Sequence, residues 1–188
     1  NTIINPSSEV HIGDNTGIGA EVMIWTHGAW LDVMQGFPAD FGPVTIGNNV
    51  WLPARSIVLP NVKIGDNTVI GIGSTVNKSI PSGCLAAGSP CKVIKENYYP
   101  KKLSPDEKLN IINNIIEDYR NLAKYKSLVV DLEFTEEVII LTHSNGNTLY
   151  NLKERTMTGD INELSEDFRD YLRRRGIKIF TKNNFKSI

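Results

Sequence analysis

Residues 44–76 read VTIGNNVWLPARSIVLPNVKIGDNTVIGIGSTV, and every sixth position is a branched aliphatic: Ile46, Leu52, Val58, Ile64, Ile70 and Val76. The same phase runs earlier, through Ile12, Ile18 and Ile24. Two residues before each of these stands a small or β-branched side chain: Val10, Thr16, Val22, Val44, Val50, Ser56, Val62, Thr68 and Ser74. A period of six fits neither a 3.6-residue helix nor an isolated alternating strand. It is the period of a coiled parallel β-sheet, in which each short strand turns a corner and the same aliphatic position points inward each time. Gly, Asn and Asp cluster just after the aliphatic, where a corner demands tight or left-handed backbone.

Ile24 and Ile46 are 22 residues apart, one hexad plus sixteen. A loop of about that size, 27–43, therefore projects from the coil without disturbing the phase on either side. Loops of that length in a compact domain are commonly functional or disordered, and Trp30, Phe37 and Phe41 argue against disorder. The stretch 80–94, with Pro81, Gly83, Gly88 and Pro90, breaks the hexad and closes the coil, giving a first domain over 1–96. Composition changes near Asn97. Ser104-Pro105-Asp106-Glu107 is a helix start, with an N-cap serine, proline at the first helical position and Glu at the third. Leu109, Ile112, Ile115, Ile116 and Tyr119 then predict an amphipathic helix to about Lys126. Strands are expected over 128–134, 138–142 and, more weakly, 148–152, with a turn at 144–147. A second helix is expected near 162–175, with Leu164, Phe168, Tyr171 and Leu172 on one side and Gly176 as its stop. A last strand is expected at 177–181. Residues 97–188 thus read as a small α+β domain whose role the sequence does not assign.

The 188 residues carry a net charge of −1, which gives no reason to expect nucleic acid or an anionic membrane as partner. Two cysteines, Cys84 and Cys91, are too few for a disulfide scaffold and lack zinc-site spacing. Both read as small buried residues. No apolar run approaches the roughly 20 residues of a membrane span, and no secretory leader is read, so a cytoplasmic setting is expected. The chain starts at Asn1 in mid-pattern, which leads us to expect further sequence before it. Neither a P-loop nor a GxGxxG run is present.

The run Trp25-Thr26-His27, the stretch Val44 to Trp51, Val62-Lys-Ile-Gly-Asp66 and Gly88-Ser-Pro-Cys-Lys-Val-Ile-Lys95 together resemble the hexapeptide-repeat acyltransferases. The likeness is to the branch containing galactoside, maltose and xenobiotic O-acetyltransferases. It covers about residues 8–96. The resemblance implies a left-handed β-helix that forms homotrimers and binds acetyl-CoA between subunits, without a metal. Handedness is taken from the resemblance alone, since parallel crossovers in general are right-handed.

His27 matches the catalytic histidine of these enzymes. Acetyl transfer to a hydroxyl needs a base, because an unassisted alcohol is a poor nucleophile near neutral pH. Imidazole suits the task. His11 and His143 read as structural or surface residues. A backbone N–H at a coil corner can serve the oxyanion, and the resemblance places it at Ala54. Here the sequence reads Trp51-Leu52-Pro53-Ala54 where relatives read W-I-G, and Pro53 has no N–H and a fixed φ. Trp51 would pack beside the pantetheine arm or the loop, or else in a contact between subunits. Lys78 and Lys92 match positions that meet CoA phosphates in relatives; Asn77, beside Lys78, and Lys95, a lesser match, are further cofactor-binding candidates. Gly73 and Gly88 would let backbone approach the pantetheine amides. Zinc carbonic anhydrases share the prism but need two histidines five residues apart, a spacing absent here.

The sequence therefore points to an acetyl-CoA-dependent O-acetyltransferase acting on a saccharide hydroxyl. Asp32, Asp40 or Glu21 would orient His27. Trp30 and Phe37 would stack on a pyranose or seal a neighbouring subunit. Acetylation of an amino group on a nucleotide-linked sugar, or of serine, stays open, as does a non-catalytic trimeric scaffold.

Overall fold

The computed structural model describes residues 1–181 and divides into two compact units, Asn1–Lys102 and a second from Leu103 onward. In the first unit the short strands stack into three parallel faces. One face holds Val10–Ile12, Val44–Ile46 and Lys63–Ile64. A second holds Gly17–Ile18, Trp51–Leu52, Val69–Ile70 and Leu85–Ala87, closed by the antiparallel strand Lys92–Lys95. The third holds Ile3–Asn5, Met23–Trp25, Ile57–Val58 and Thr75–Val76. Thr45 pairs with Lys63 and Ile57 with Thr75, a register of 18 residues, so one coil is three hexads.

Seven of the nine phased aliphatics, from Ile24 to Val76, are 0–1% exposed and form one core. Ile12 and Ile18 are only partly covered. They lie on edge strands of their sheets, whereas Ile24 is flanked by Ile3–Asn5 and Ile57–Val58. From Val22 on, the residues two places earlier are buried as well, and serine hydroxyls among them cap the corners: Ser56 Oγ donates to the Pro53 carbonyl at 2.8 Å and Ser74 Oγ to that of Gly71 at 2.6 Å. The corners use left-handed backbone at Asn15, Asn49 and Asn67, each with φ of 55°. Their amides form a ladder, Asn15 Nδ2 to Asn49 Oδ1 at 2.7 Å and Asn49 Nδ2 to Asn67 Oδ1 at 3.1 Å. Asparagine tolerates this conformation better than other non-glycine residues, and stacking lets each amide satisfy the next.

In the second unit, helix α1 (Pro105–Tyr125) starts with a full capping box between Ser104 and Glu107. It buries Ile112, Ile116, Tyr119 and Ala123 on one stripe, while Leu109 is exposed. A four-stranded antiparallel meander follows: Asp131–Thr135, Val138–His143, Gly146–Asn151 and Thr156–Gly159. Helix α2 (Glu163–Arg174) is capped by Asn162 and Ser165 and buries Phe168, Tyr171 and Leu172. The strand Thr156–Gly159 escapes a sequence reading because it is short and follows three charged residues. The strand expected at 177–181 reduces to a single bridge, Thr156 to Phe180, although Ile179 is buried.

The first hairpin of the meander turns through Glu136 and Glu137, at φ of 47° and 68°. Two left-handed residues in a two-residue loop call for Asn-Gly rather than two glutamates. The one ion pair involved, Lys108 to Glu137 at 3.5 Å, is exposed and weak. The double substitution Glu136→Asn, Glu137→Gly should therefore stabilise this unit by about 1 kcal/mol. A rise in the urea midpoint at constant m-value is the expected readout; a fall would mean the glutamates make contacts worth more than the backbone strain.

Candidate active site

The excess of sixteen residues appears directly in the pairing. Val10 pairs with Val44 and Met23 with Ile57, a register of 34 where later coils use 18. The extra chain leaves the coil at Thr26 as a hairpin, His27–Ala29 against Ala39–Phe41, with a 3-10 turn at Val33–Gln35. His27 is its first residue and faces Phe41 across the hairpin. The rings stack at 5.8 Å and 23°, and the Trp25 indole meets the imidazole edge-on at 6.2 Å. His27 is half-buried between these two aromatics.

On the other side runs the segment 5–8, which sequence reasoning left out of the site. Asn5 is the register partner of Trp25, so Ser7 comes level with His27. Ser7 Oγ lies 3.0 Å from His27 Nδ1 and donates to Asn5 Oδ1 at 3.1 Å. Thr26, fully buried, clamps the segment: its hydroxyl donates to the Asn5 carbonyl at 2.7 Å and accepts from the Ser8 N–H at 2.9 Å. Nε2 makes no hydrogen bond among the described residues.

The three carboxylates expected to orient His27 are engaged elsewhere or absent from its contacts. Asp32 caps the 3-10 turn, accepting from Met34 N at 2.9 Å. Glu21 pairs with Arg55 at 2.7 Å across two left-handed corners, and that guanidinium lowers the carboxyl below its usual range. Asp40 touches His27 through no hydrogen bond among the described residues. His11 pairs with Glu9, and His143 lies on Thr148 and the Asp160 carbonyl. Cys84 and Cys91 are free and buried, and burial pushes both thiols up.

Pro53 leaves its corner intact. Arg55 takes φ of 61° and Ser56 N donates to the Pro53 carbonyl at 3.3 Å, the same turn that Gly71, Gly73 and Ser74 make one coil later. Proline occupies the first turn position, where its fixed φ costs nothing and only one ladder N–H is lost. The Ala54 N–H makes no hydrogen bond among the described residues. Gly19 packs beneath it: a Cβ there would sit 2.7 Å from the Ala54 nitrogen.

Gly73 (φ 69°) and Gly88 (φ 105°) both need left-handed backbone. The turn 88–91 is stitched to the third face, with Thr75 N donating to the Gly88 carbonyl at 3.0 Å and Cys91 N to the Thr75 carbonyl at 2.8 Å. Gly73 and Gly88 thus lie at the corner between the second and third faces, with Lys92 paired to Ala87 beside them, whereas Asn77 and Lys78 follow Thr75–Val76 at that strand's other end; all five are exposed. Lys95 stands apart on the returning strand. Its ammonium and that of Lys101 lie 4.5 and 4.3 Å from the Tyr98 ring and lower the phenol. Asn77 follows the strand Thr75–Val76 as His27 follows Met23–Trp25, two strands along the same face. That spacing is about 10 Å.

The profile of the bacterial transferase hexapeptide, six repeats, matches residues 43–78. The coil is similar to that family over those residues. Escherichia coli galactoside O-acetyltransferase is 44% identical over 89 residues, 46% of this chain and 44% of the relative. A galactoside acetyltransferase solved in complex with coenzyme A is 39% identical and superposes with a TM-score of 0.48, covering 55% of this chain and 56% of that one. A maltose O-acetyltransferase from Clostridium difficile 630 is 31% identical, with a TM-score of 0.41 over 51% and 63% of the two chains. The chain spans about half the length of the relatives it matches.

On the hexapeptide coil the remaining candidates are exposed. Trp51 lies on the second face, 56% exposed, against Gly17. Trp30 at the hairpin tip is 95% exposed, and Phe37 and Asp32 are exposed beside it. Within one chain, none of these reaches His27 by a hydrogen bond or ring contact among the described residues. Among the described residues no three His, Cys, Asp or Glu side chains gather as a metal site requires, and no helix is long and apolar enough to cross a membrane.

Proposed function

We propose that the hexapeptide coil is an acetyl-CoA-dependent O-acetyltransferase acting on a saccharide hydroxyl, with His27 as general base. The observation that carries this reading is the position of His27. It is the first residue of the hairpin that interrupts the repeat, with Nδ1 engaged and Nε2 without a hydrogen bond among the described residues. The 44% identity to a galactoside O-acetyltransferase over 89 residues supports the chemistry.

The reaction then follows from the residues. Nε2 takes the proton of the acceptor hydroxyl as its oxygen attacks the thioester carbonyl. The Ala54 N–H stabilises the oxyanion. As the C–S bond breaks, the thiol of CoA leaves with the proton returned from Nε2. Lys78, Lys92 and Asn77 receive the phosphates, Gly73 and Gly88 the pantetheine amides, and Trp51 flanks that arm. Lys95 is the weakest of these assignments, being held at Tyr98.

His27 and Ala54 are not in contact within a chain, so the reading includes a left-handed coil assembled as a homotrimer with sites shared between copies. Exposed Trp30 and Phe37 support it, since assembly would cover them. A panel of sugars, amino sugars and serine assayed with acetyl-CoA tests the reading. Acetylation of a sugar hydroxyl is expected. Transfer only to amines would move it to N-acetylation, and binding of CoA without turnover of any acceptor would favour a scaffold.

A further inference from the structure

The contacts around His27 fix more than its place. Ser7 has one hydroxyl proton, and Asn5 Oδ1, which can only accept, takes it at an O···O distance of 3.1 Å. Towards His27 Nδ1, 3.0 Å away, the same oxygen can then only accept. That requires the proton on Nδ1 and leaves the lone pair on Nε2. Free histidine side chains favour the opposite tautomer, so the hydroxyl selects the less common form. We propose that Ser7, held by Asn5, is a positioning residue that keeps His27 in its Nδ1–H tautomer with Nε2 as the base. The inference rests on the catalytic reading of His27.

The arrangement is built rather than incidental. Thr26, the residue before His27, is buried and grips the chain on both sides of Ser7, through the Asn5 carbonyl and the Ser8 N–H. Imidazole and hydroxyl are thus tied to the same coil position. Phe41 stacked on one ring face and Trp25 against the ring limit its rotation. A histidine whose second nitrogen is bonded has its tautomer set by that bond, and the wrong tautomer cannot accept the acceptor's proton.

Ser7→Ala, Ser7→Thr and Asn5→Ala test this. Ser7 is exposed, so its truncation should leave the fold unchanged. Nitrogen-15 NMR of the His27 ring should show Nδ1–H in the wild type and a shift towards Nε2–H in Ser7→Ala. Turnover should fall about ten-fold at unchanged KM for acetyl-CoA, with an intermediate loss in Asn5→Ala. Ser7→Thr, which keeps the hydroxyl, should restore both readouts. An unaltered ring spectrum in Ser7→Ala overturns the proposal, as does wild-type turnover in that variant. The ring spectrum needs no activity, so it stands apart from the base assignment. If His27→Ala abolishes turnover while Ser7→Ala does not reduce it, only the positioning role fails.

Discussion

Replacing His27 by alanine should lower turnover by roughly 10²–10⁴-fold, the contribution of a positioned general base, while leaving KM for acetyl-CoA within about two-fold. The reasoning is geometric. The imidazole lies at the mouth of the hairpin, off the coil core, and its own bonds are to Ser7 and two aromatic faces. Of the residues assigned to CoA, Asn77 and Lys78 follow Thr75–Val76, about two strand spacings from Met23–Trp25 on the third face, and Trp51 and Lys92 lie on the second face. Truncation should therefore remove proton transfer without loosening the cosubstrate. The loss corresponds to about 3–5 kcal/mol of transition-state stabilisation. Steady-state kinetics beside a binding measurement for CoA would check both halves. Undiminished turnover would sink the base assignment, and parallel loss of CoA affinity would mean that His27 lines the cosubstrate site instead.

In the second unit, Phe168→Ala should cost about 3–5 kcal/mol of stability, near the upper end of core truncations. Phe168 is fully buried on α2 and sits among three tyrosines, with ring centroids 4.7 Å from Tyr119, 5.1 Å from Tyr150 and 6.5 Å from Tyr171. Two of those rings cannot collapse into the space. Tyr119 donates to Asp167 at 2.9 Å and Tyr150 to the Ser165 carbonyl at 2.6 Å, and burial pushes both phenols upward so that they stay donors. Moving either ring would break a buried hydrogen bond, so the cavity should persist. Urea unfolding followed by tyrosine fluorescence should show the loss, and Phe168→Leu should recover about half of it. A cost below about 1 kcal/mol would mean that the cluster repacks despite its anchors.

The hexad was legible because one physical demand repeats. Every coil needs an aliphatic inside and a tight corner after it, and Ile46 to Val76 state that demand without exception. The length of the hairpin was legible for the same reason, as a phase shift. The helix start at Ser104 followed from local capping chemistry, and the second helix from its apolar side and the Gly176 stop. What could not be read was the surroundings of His27. Residues 3–5 pair with 23–25 at an offset of 20, outside the 18-residue register, so no periodic signal brings Ser7 to His27. Asp32, Asp40 and Glu21 were candidates because they are near in sequence and charged. A neutral hydroxyl twenty residues upstream carries no such cue. The left-handed corner at Glu21 and Arg55 was equally hidden, because neither residue type favours that backbone.

The hairpin that begins at His27 is an antiparallel ribbon standing on parallel coils, and its two feet are paired residues, His27 and Phe41. A ribbon can grow or shrink by one cross-strand pair at a time without altering which residues face each other at its base. The coil beneath counts only where the chain departs and returns, so it is indifferent to what lies between. A chain on this ground plan can thus carry a short spur or a long arm in the same place, changing the reach and shape of what stands above the coil while the imidazole, the serine hydroxyl and the stacked phenylalanine stay put.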